Sequence, residues 1–151
     1  MKTIRGDLLK LAVEGTFDVI LHGCNCQCAM GAGIAKAVKA VFPEAYEADC
    51  QTEKGAEEKL GSISYARTER NAREIIIVNG YIQLHWRGSG TKVNYQALRS
   101  VLATVRKNFG GKRIGYPKIG AGLAGGDWNR IAAIIEEELD GEDHTLVEFA
   151  R

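Results

Sequence analysis

Residues 17–42 read FDVILHGCNCQCAMGAGIAKAVKAVF, and the fold turns on this stretch. Phe17-Asp18-Val19-Ile20-Leu21-His22 is a short, mostly apolar run with β-branched residues at its centre, the pattern of a buried strand. From Gly33 to Phe42, Ile34, Ala35, Ala37, Val38 and Val41 fall at helical spacing, and Pro43 stops the helix. Between them lies a loop rich in small residues that ends Met30-Gly31-Ala32-Gly33-Ile34. A strand, a glycine-rich loop and a helix in that order form the unit with which α/β proteins hold ligands beyond the carboxyl ends of their strands. Gly31 and Gly33 let a ligand approach the main chain, and the free amides of the helix's first turn favour negative charge. A phosphate or diphosphate suits such a loop; a tight turn with no ligand would use the same glycines.

Working outward, Thr3 to Arg5 reads as a short strand and Pro43 to Glu53 as a second helix. Ser62 to Thr68 and Glu74 to Asn79 read as an antiparallel hairpin about the charged turn Glu69-Arg70-Asn71-Ala72-Arg73. Between Tyr95 and Phe109, Leu98, Val101, Leu102 and Val105 recur at three- and four-residue spacing, which predicts a helix closed by Gly110-Gly111. Arg113 to Tyr116 follows as a strand, Gly120 to Gly126 as a loop, and Trp128 to Leu139 as a helix capped by Asp127. Glu136-Glu137-Glu138 is the solvated face of that helix, and Thr145 to Phe149 is a last strand. Strands alternating with helices around one hairpin imply an α/β chain with a mixed sheet covered on both faces.

The 151 residues, 45% hydrophobic, suffice for one buried core, so 1–151 is read as a single domain. The formal net charge of +1 supplies no field for polyanions, so bulk nucleic-acid binding is not expected. The charged start, Met1 to Asp7, argues against export, and no apolar run approaches the ~20 residues of a membrane span. Four cysteines, three of them at Cys24, Cys26 and Cys28, do not form a disulfide framework, and reduced thiols fit a cytoplasmic location. His22, Cys24, Cys26 and Cys28 alternate at two-residue spacing, but zinc sites draw wider pairs from two segments, so no metal and no cofactor are expected.

A second loop, Pro117-Lys118-Ile119-Gly120-Ala121-Gly122-Leu123-Ala124-Gly125-Gly126-Asp127-Trp128, repeats the order of strand, small residues and helix. Gly120, Gly122 and Gly125 spell Gly-x-Gly-x-x-Gly, the dinucleotide fingerprint. That fingerprint should open a fold and be followed by a second nucleotide half, whereas only 26 residues follow Gly125. A dinucleotide-dependent oxidoreductase is therefore the weaker reading.

Taken together, Gly6-Asp7-Leu8, Cys24-Asn25 through Met30-Gly31-Ala32-Gly33-Ile34-Ala35, and Pro117 through Trp128 resemble the macro-domain family from end to end. The resemblance is densest to the branch that contains terminal ADP-ribose protein glycohydrolase, with the yeast-type ADP-ribose-1''-phosphate phosphatase more distant. It implies a three-layer α/β/α fold around a central mixed β-sheet, and ADP-ribose, free or on a macromolecule, as the partner. Residue by residue, it implies that Asp7 accepts a hydrogen bond from the adenine amino group beside the Leu8 backbone, and that Asn25 reaches the distal ribose. Gly31, Ala32, Gly33 and Ile34 would wrap ribose and phosphate from one side. Gly120, Ala121, Gly122, Leu123 and Ala124 would offer amides to the diphosphate from the other, and Phe149 would stack on adenine.

Two departures bear on catalysis. The glycohydrolase branch hydrolyses through a lysine before the long helix and an aspartate directly after Gly-Leu of the second loop. This chain has Ala124 in the second place and Gln83 or His85 in the first, with Lys92 as an alternative. The remaining acid–base candidates are His22, His85 and Asp127. His22, expected at the mouth of the first loop, and Asn25 are the catalytic expectations; a strand-end histidine held by its neighbours and a helix-capping Asp127 are the plainer readings. Two functions stay open: hydrolysis of an ADP-ribose derivative, whether the 1''-phosphate or an ADP-ribosyl group, and a non-catalytic ADP-ribose reader. The balanced charge suggests a monomer.

Overall fold

The computed structural model of the chain describes residues 1–87 and 90–150. The elements follow the order β1 (Lys2–Gly6), α1 (Leu8–Val13), β2 (Val19–Asn25), α2 (Gly33–Val41), α3 (Pro43–Cys50), β3 (Ile63–Arg70), β4 (Arg73–Gln83), α4 (Tyr95–Phe109), β5 (Ile114–Tyr116), α5 (Trp128–Glu138) and β6 (His144–Phe149). The six strands form one sheet in the order β1-β6-β5-β2-β4-β3. Four pairings are parallel, and only β3 runs antiparallel, against β4.

Alternation along β2 shows how the layers assemble. Val19 and Leu21 point into a core shared with Leu98, Val101, Leu102 and Val105 of α4 and Ile131, Ile134 and Ile135 of α5. Ile20, one residue out of phase, joins Leu8, Leu9 and Ala12 of α1, Val38 of α2 and Ala45 of α3 on the opposite face. The result is the three-layer α/β/α arrangement with a mixed central sheet.

The predicted elements are present with shifted bounds, β2 running on to Asn25 and α3 stopping at Cys50, and three further differences have a clear physical reason. The six-residue helix α1 is too short to show periodicity in the sequence; it forms because Asp7 caps it, accepting at Oδ1 from the amides of Leu9 and Lys10 at 3.1 and 3.3 Å, while Leu8, Leu9 and Ala12 bury. The hairpin strands run longer than expected around a tight Asn71-Ala72 turn, both residues at positive φ, and β4 continues to Gln83 because Gly80 and Tyr81 still pair with β2. Finally, β2 starts two residues later than predicted, Phe17 being buried beside Gly115 instead of extending the strand.

Candidate functional site

Because the pairings from β1 through β4 are parallel, the carboxyl ends of β1, β6, β5, β2 and β4 lie along one edge of the sheet. A cavity of about 1380 Å³ opens along that edge. Its wall includes every residue expected to bind ligand: Asp7 and Leu8, Asn25, Gly31 to Ile34, Gly120 to Ala124, and Phe149. Asp7 and Phe149 sit at one end together, since Gly6 pairs with Phe149 across β1 and β6. Phe149 is 71% exposed, so its ring faces outward and not into the core.

The first loop is held by side chains from below. The Asn25 amide donates to the Ala29 carbonyl at 3.1 Å, while its oxygen accepts from the Gln27 amide at 2.8 Å, so Asn25 shapes the loop as well as lining the cavity. Cys28 sits at φ 54, and its thiol donates to the Asp49 carbonyl at 3.3 Å. Beneath it the Lys59 ammonium, almost wholly buried, donates to Thr52 Oγ1 at 2.9 Å and lies 4.9 Å from the Tyr81 ring centroid. The loop then delivers α2 with Ala32 as its N-cap and no side chain bonded to its first-turn amides. The dipole and open amides of such a helix end favour negative charge. A Cβ added at Gly31 would meet nothing within 4 Å.

The second loop is held by its own backbone. Gly126 N donates to Gly120 O at 2.7 Å, Gly125 N to Gly122 O at 3.0 Å, and Lys92 N to Ala124 O at 2.7 Å. Gly120 takes φ 72, and a Cβ on Gly126 would stand 2.6 Å from the Gly120 carbonyl oxygen, so both positions need glycine. Among the described residues the amides of Gly122, Leu123 and Ala124 have no acceptor. A Cβ at Gly122 also meets open space. Leu123, 69% exposed, leans toward the first loop, with Cδ1 3.6 Å from where a Gly33 Cβ would be.

One expected symmetry between the loops fails. Helix α5 does not turn an open N-terminus toward the cavity, because Asp127 caps it by accepting from Asn129 N at 3.0 Å. Asp127 is off the cavity wall, its own amide donating to Tyr95 Oη at 3.0 Å.

The expectation for His22 is also corrected. It is fully buried, off the cavity wall, and faces the α3 layer, where Nε2 lies 2.6 Å from Asn79 Oδ1. The period of two along β2 puts it there, on the same face as Ile20. Burial pushes its pKa down to about 4, so it is neutral near pH 7 and not placed to exchange protons with a ligand. His85 is off the wall too, stacked on Trp86. Cys24 and Cys26 pack with Met30 and Tyr81, and burial holds the Cys24 thiol well above its ordinary range.

The ionisable side chains on the wall besides Asp7 and Cys24 are Lys92, Lys118 and Glu148, the last two 4.0 Å apart. Gln83, the last residue of β4, and Trp86, just past the strand's end, complete the far end. The ligand-binding expectations omitted Trp86. Its signal is an aromatic side chain just past a strand's carboxyl end, flanked by histidine and arginine in His85-Trp86-Arg87.

The fold and this two-loop cavity define an α/β protein of the macro-domain type. The macro-domain family model matches residues 21–135, and the chain belongs to that family. It is 35% identical over 142 residues to an uncharacterised 17.5 kDa protein of Enterobacteria phage T4, covering 90% of this chain and 88% of that one. It is 30% identical over 143 residues to the ADP-ribose glycohydrolase OARD1 of Bos taurus, covering 93% and 84%. A Bacteroides thetaiotaomicron protein of unknown function superposes with a TM-score of 0.82 at 28% identity, over 97% of this chain and 96% of that one.

Proposed function

We propose that the cavity binds ADP-ribose, with adenine between Asp7 and Phe149, the diphosphate between the two loops, and the distal ribose toward Asn25 and the end of β4. The observation that carries this reading is the pair of facing loops whose unbonded amides converge on one cavity. Those amides come from the uncapped start of α2 and from Gly122 to Ala124. Backbone amides recognise a diphosphate without any particular side chain, and together with the helix dipole they supply the positive potential that a net charge of +1 does not. Asp7 Oδ1 is engaged in capping α1, so the second carboxylate oxygen is the one we assign to the adenine amino group. The bovine relative's name, an ADP-ribose glycohydrolase, points to the same ligand.

Recognition without turnover is the primary reading. Ala124 stands where the glycohydrolase branch carries aspartate, and neither Asp127 nor His22 reaches the wall to replace it. A second reading, hydrolysis of ADP-ribose-1''-phosphate or of an ADP-ribosyl group on a macromolecule, is favoured by Lys92, which the fold brings to the wall beside Ala124. Incubation with both substrates decides: unchanged substrate supports the reader, and product that disappears in Lys92→Ala supports the hydrolase. In either case we take residues 1–151 as one macro domain, acting in the cytoplasm as a monomer; no helix of the described residues is long and apolar enough to cross a membrane.

A further inference from the structure

Between adenine and diphosphate lies a ribose, and the sheet order fixes which strands it crosses. With adenine over β1 and β6, and the diphosphate between the loops that follow β2 and β5, the order β1-β6-β5-β2 carries this ribose across the carboxyl ends of β6 and β5. Two charged side chains of the wall arise there. Glu148 stands one residue before the end of β6, and Lys118 two residues past the end of β5.

Along β6, Leu146 packs into the core beneath α4 and α5, and Val147 into the core beneath α1 and α2. By the same alternation Phe149 turns to the α1 side, where Asp7 lies, and Glu148 to the α5 side. Lys118 meets it there, its Nζ 4.0 Å from Glu148 Oε1 and 5.9 Å from the centroid of the Trp128 ring at the start of α5. Arg5, the register partner of Glu148 on β1, is off the cavity wall. Both members of the pair are about half exposed, so it adds little to the stability of the fold. A span of 4.0 Å is too long for a hydrogen bond, and among the described residues neither charged group makes one elsewhere.

Such a pair is matched to a hydroxyl. An oxygen about 2.8 Å from both atoms fits the 4.0 Å span, donating its proton to Glu148 and accepting from Lys118. On a ribose that runs from adenine to the diphosphate, the 2'-hydroxyl is the one nearest the adenine, on the β6 side. A phosphate on that oxygen carries about −1.5 to −2 charge near pH 7. Lys118 would accept it, but the charge would stand against the Glu148 carboxylate with no proton to give. Resting on the ADP-ribose reading, we propose that Glu148 and Lys118 form a selectivity subsite that takes the free 2'-hydroxyl of the adenosine ribose and rejects the 2'-phosphorylated ligand. Dinucleotide sites divide by the same chemistry, an acidic residue reading the free hydroxyl and an arginine holding the 2'-phosphate. The reaction that supplies the ligand then starts from a dinucleotide whose adenosine ribose carries no 2'-phosphate.

The test titrates the wild-type chain, Glu148→Gln and Lys118→Met with ADP-ribose, with ADP-ribose carrying a 2'-phosphate on the adenosine ribose, and with the corresponding 2'-deoxy compound. We expect the wild type to prefer ADP-ribose about tenfold or more over the 2'-phosphate, and about fivefold over the 2'-deoxy compound. Glu148→Gln keeps an acceptor oxygen and loses the charge. It should shrink the phosphate penalty by about fivefold or more while changing ADP-ribose affinity by less than about threefold. Lys118→Met should deepen that penalty, an opposite sign that exclusion by size alone does not produce. Equal wild-type affinities for the three ligands, or a phosphate penalty that Glu148→Gln leaves unchanged, overturn the subsite while leaving ADP-ribose binding intact. AMP and adenosine 2',5'-bisphosphate carry the same ribose without the distal half. If ADP-ribose fails to saturate but AMP outbinds the bisphosphate in a Glu148-dependent way, the subsite stands and the ADP-ribose reading falls; loss of both preferences overturns both.

Discussion

The two loops that face each other across the cavity look alike in sequence and are built on different principles. The first is fastened by side chains: Asn25, Gln27 and Cys28 bond to its own backbone, to Leu84 and to Asp49 in the last turn of α3, above a buried layer containing Lys59, Tyr81 and His22. The second is fastened by main-chain bonds among Gly120, Gly122, Gly125, Gly126 and the strap at Lys92 and Val93. The first presents an open helix end; the second presents turn amides, its helix end having been closed by Asp127. Glycines in one loop therefore cannot be assigned roles by analogy with the other. Gly31 and Gly122 face empty space, whereas Gly120 and Gly126 are packed against protein.

The largest expected effect probes the layer below the first loop. Between pH 6.5 and about 4 the unfolded chain takes up a proton at position 22 that the folded chain refuses. Stability therefore falls as the pH is lowered through that window, by roughly 3 kcal/mol in all, and the loss is complete below about pH 4. Urea melts of the wild type and of His22→Gln should diverge across this range, the variant showing the flatter profile. Parallel profiles would mean that His22 is not buried as a neutral ring.

Next comes the second loop's dependence on its backbone. Gly126→Ala forces a Cβ against the Gly120 carbonyl, Val93 and Ile131, which should cost about 2 kcal/mol in thermal or denaturant unfolding. In contrast, Gly31→Val and Gly122→Val should fold with nearly wild-type stability. Each should weaken ADP-ribose binding by about tenfold or more in calorimetry, because the added side chain enters ligand space. If these two valine variants were destabilised like Gly126→Ala, the division into cavity-facing and packed glycines would be wrong.

The smallest effect sharpens the contrast between the helix ends. Asp127→Ala removes the cap of α5 and should cost about 1 kcal/mol with little change in ADP-ribose affinity. A large loss of affinity with unchanged stability would return Asp127 to the site.

How much of this was legible in the sequence depends on the kind of signal each residue carries. The helix α4 could be read directly, since Leu98, Val101, Leu102 and Val105 repeat the helical period and all are buried. That both loops line one cavity was also legible, because loops at strand carboxyl ends converge wherever the strands are parallel. His22 was misplaced because its neighbour Gly23 suggested a loop mouth, while the alternation that buries it extends to Asn25, the end of β2. The capping of α5 by Asp127 was anticipated, but not its consequence that the second loop has no helix end to offer. The far end of the cavity was hardest to read: Trp86 lies beyond both the predicted end of its strand, Asn79, and the observed one, Gln83, where no periodicity places it.

The central claim is that unbonded amides of two dissimilar loops create one diphosphate-binding cavity. Calorimetric titration of the wild-type chain with ADP-ribose, beside Gly122→Val of matched stability, tests it most directly. The account predicts saturable one-to-one binding by the wild type and a loss of about tenfold in the variant. Absence of saturable heat up to about 1 mM ADP-ribose, a concentration at which even about −4 kcal/mol of binding free energy would register, would contradict it, as would equal affinities for the two proteins.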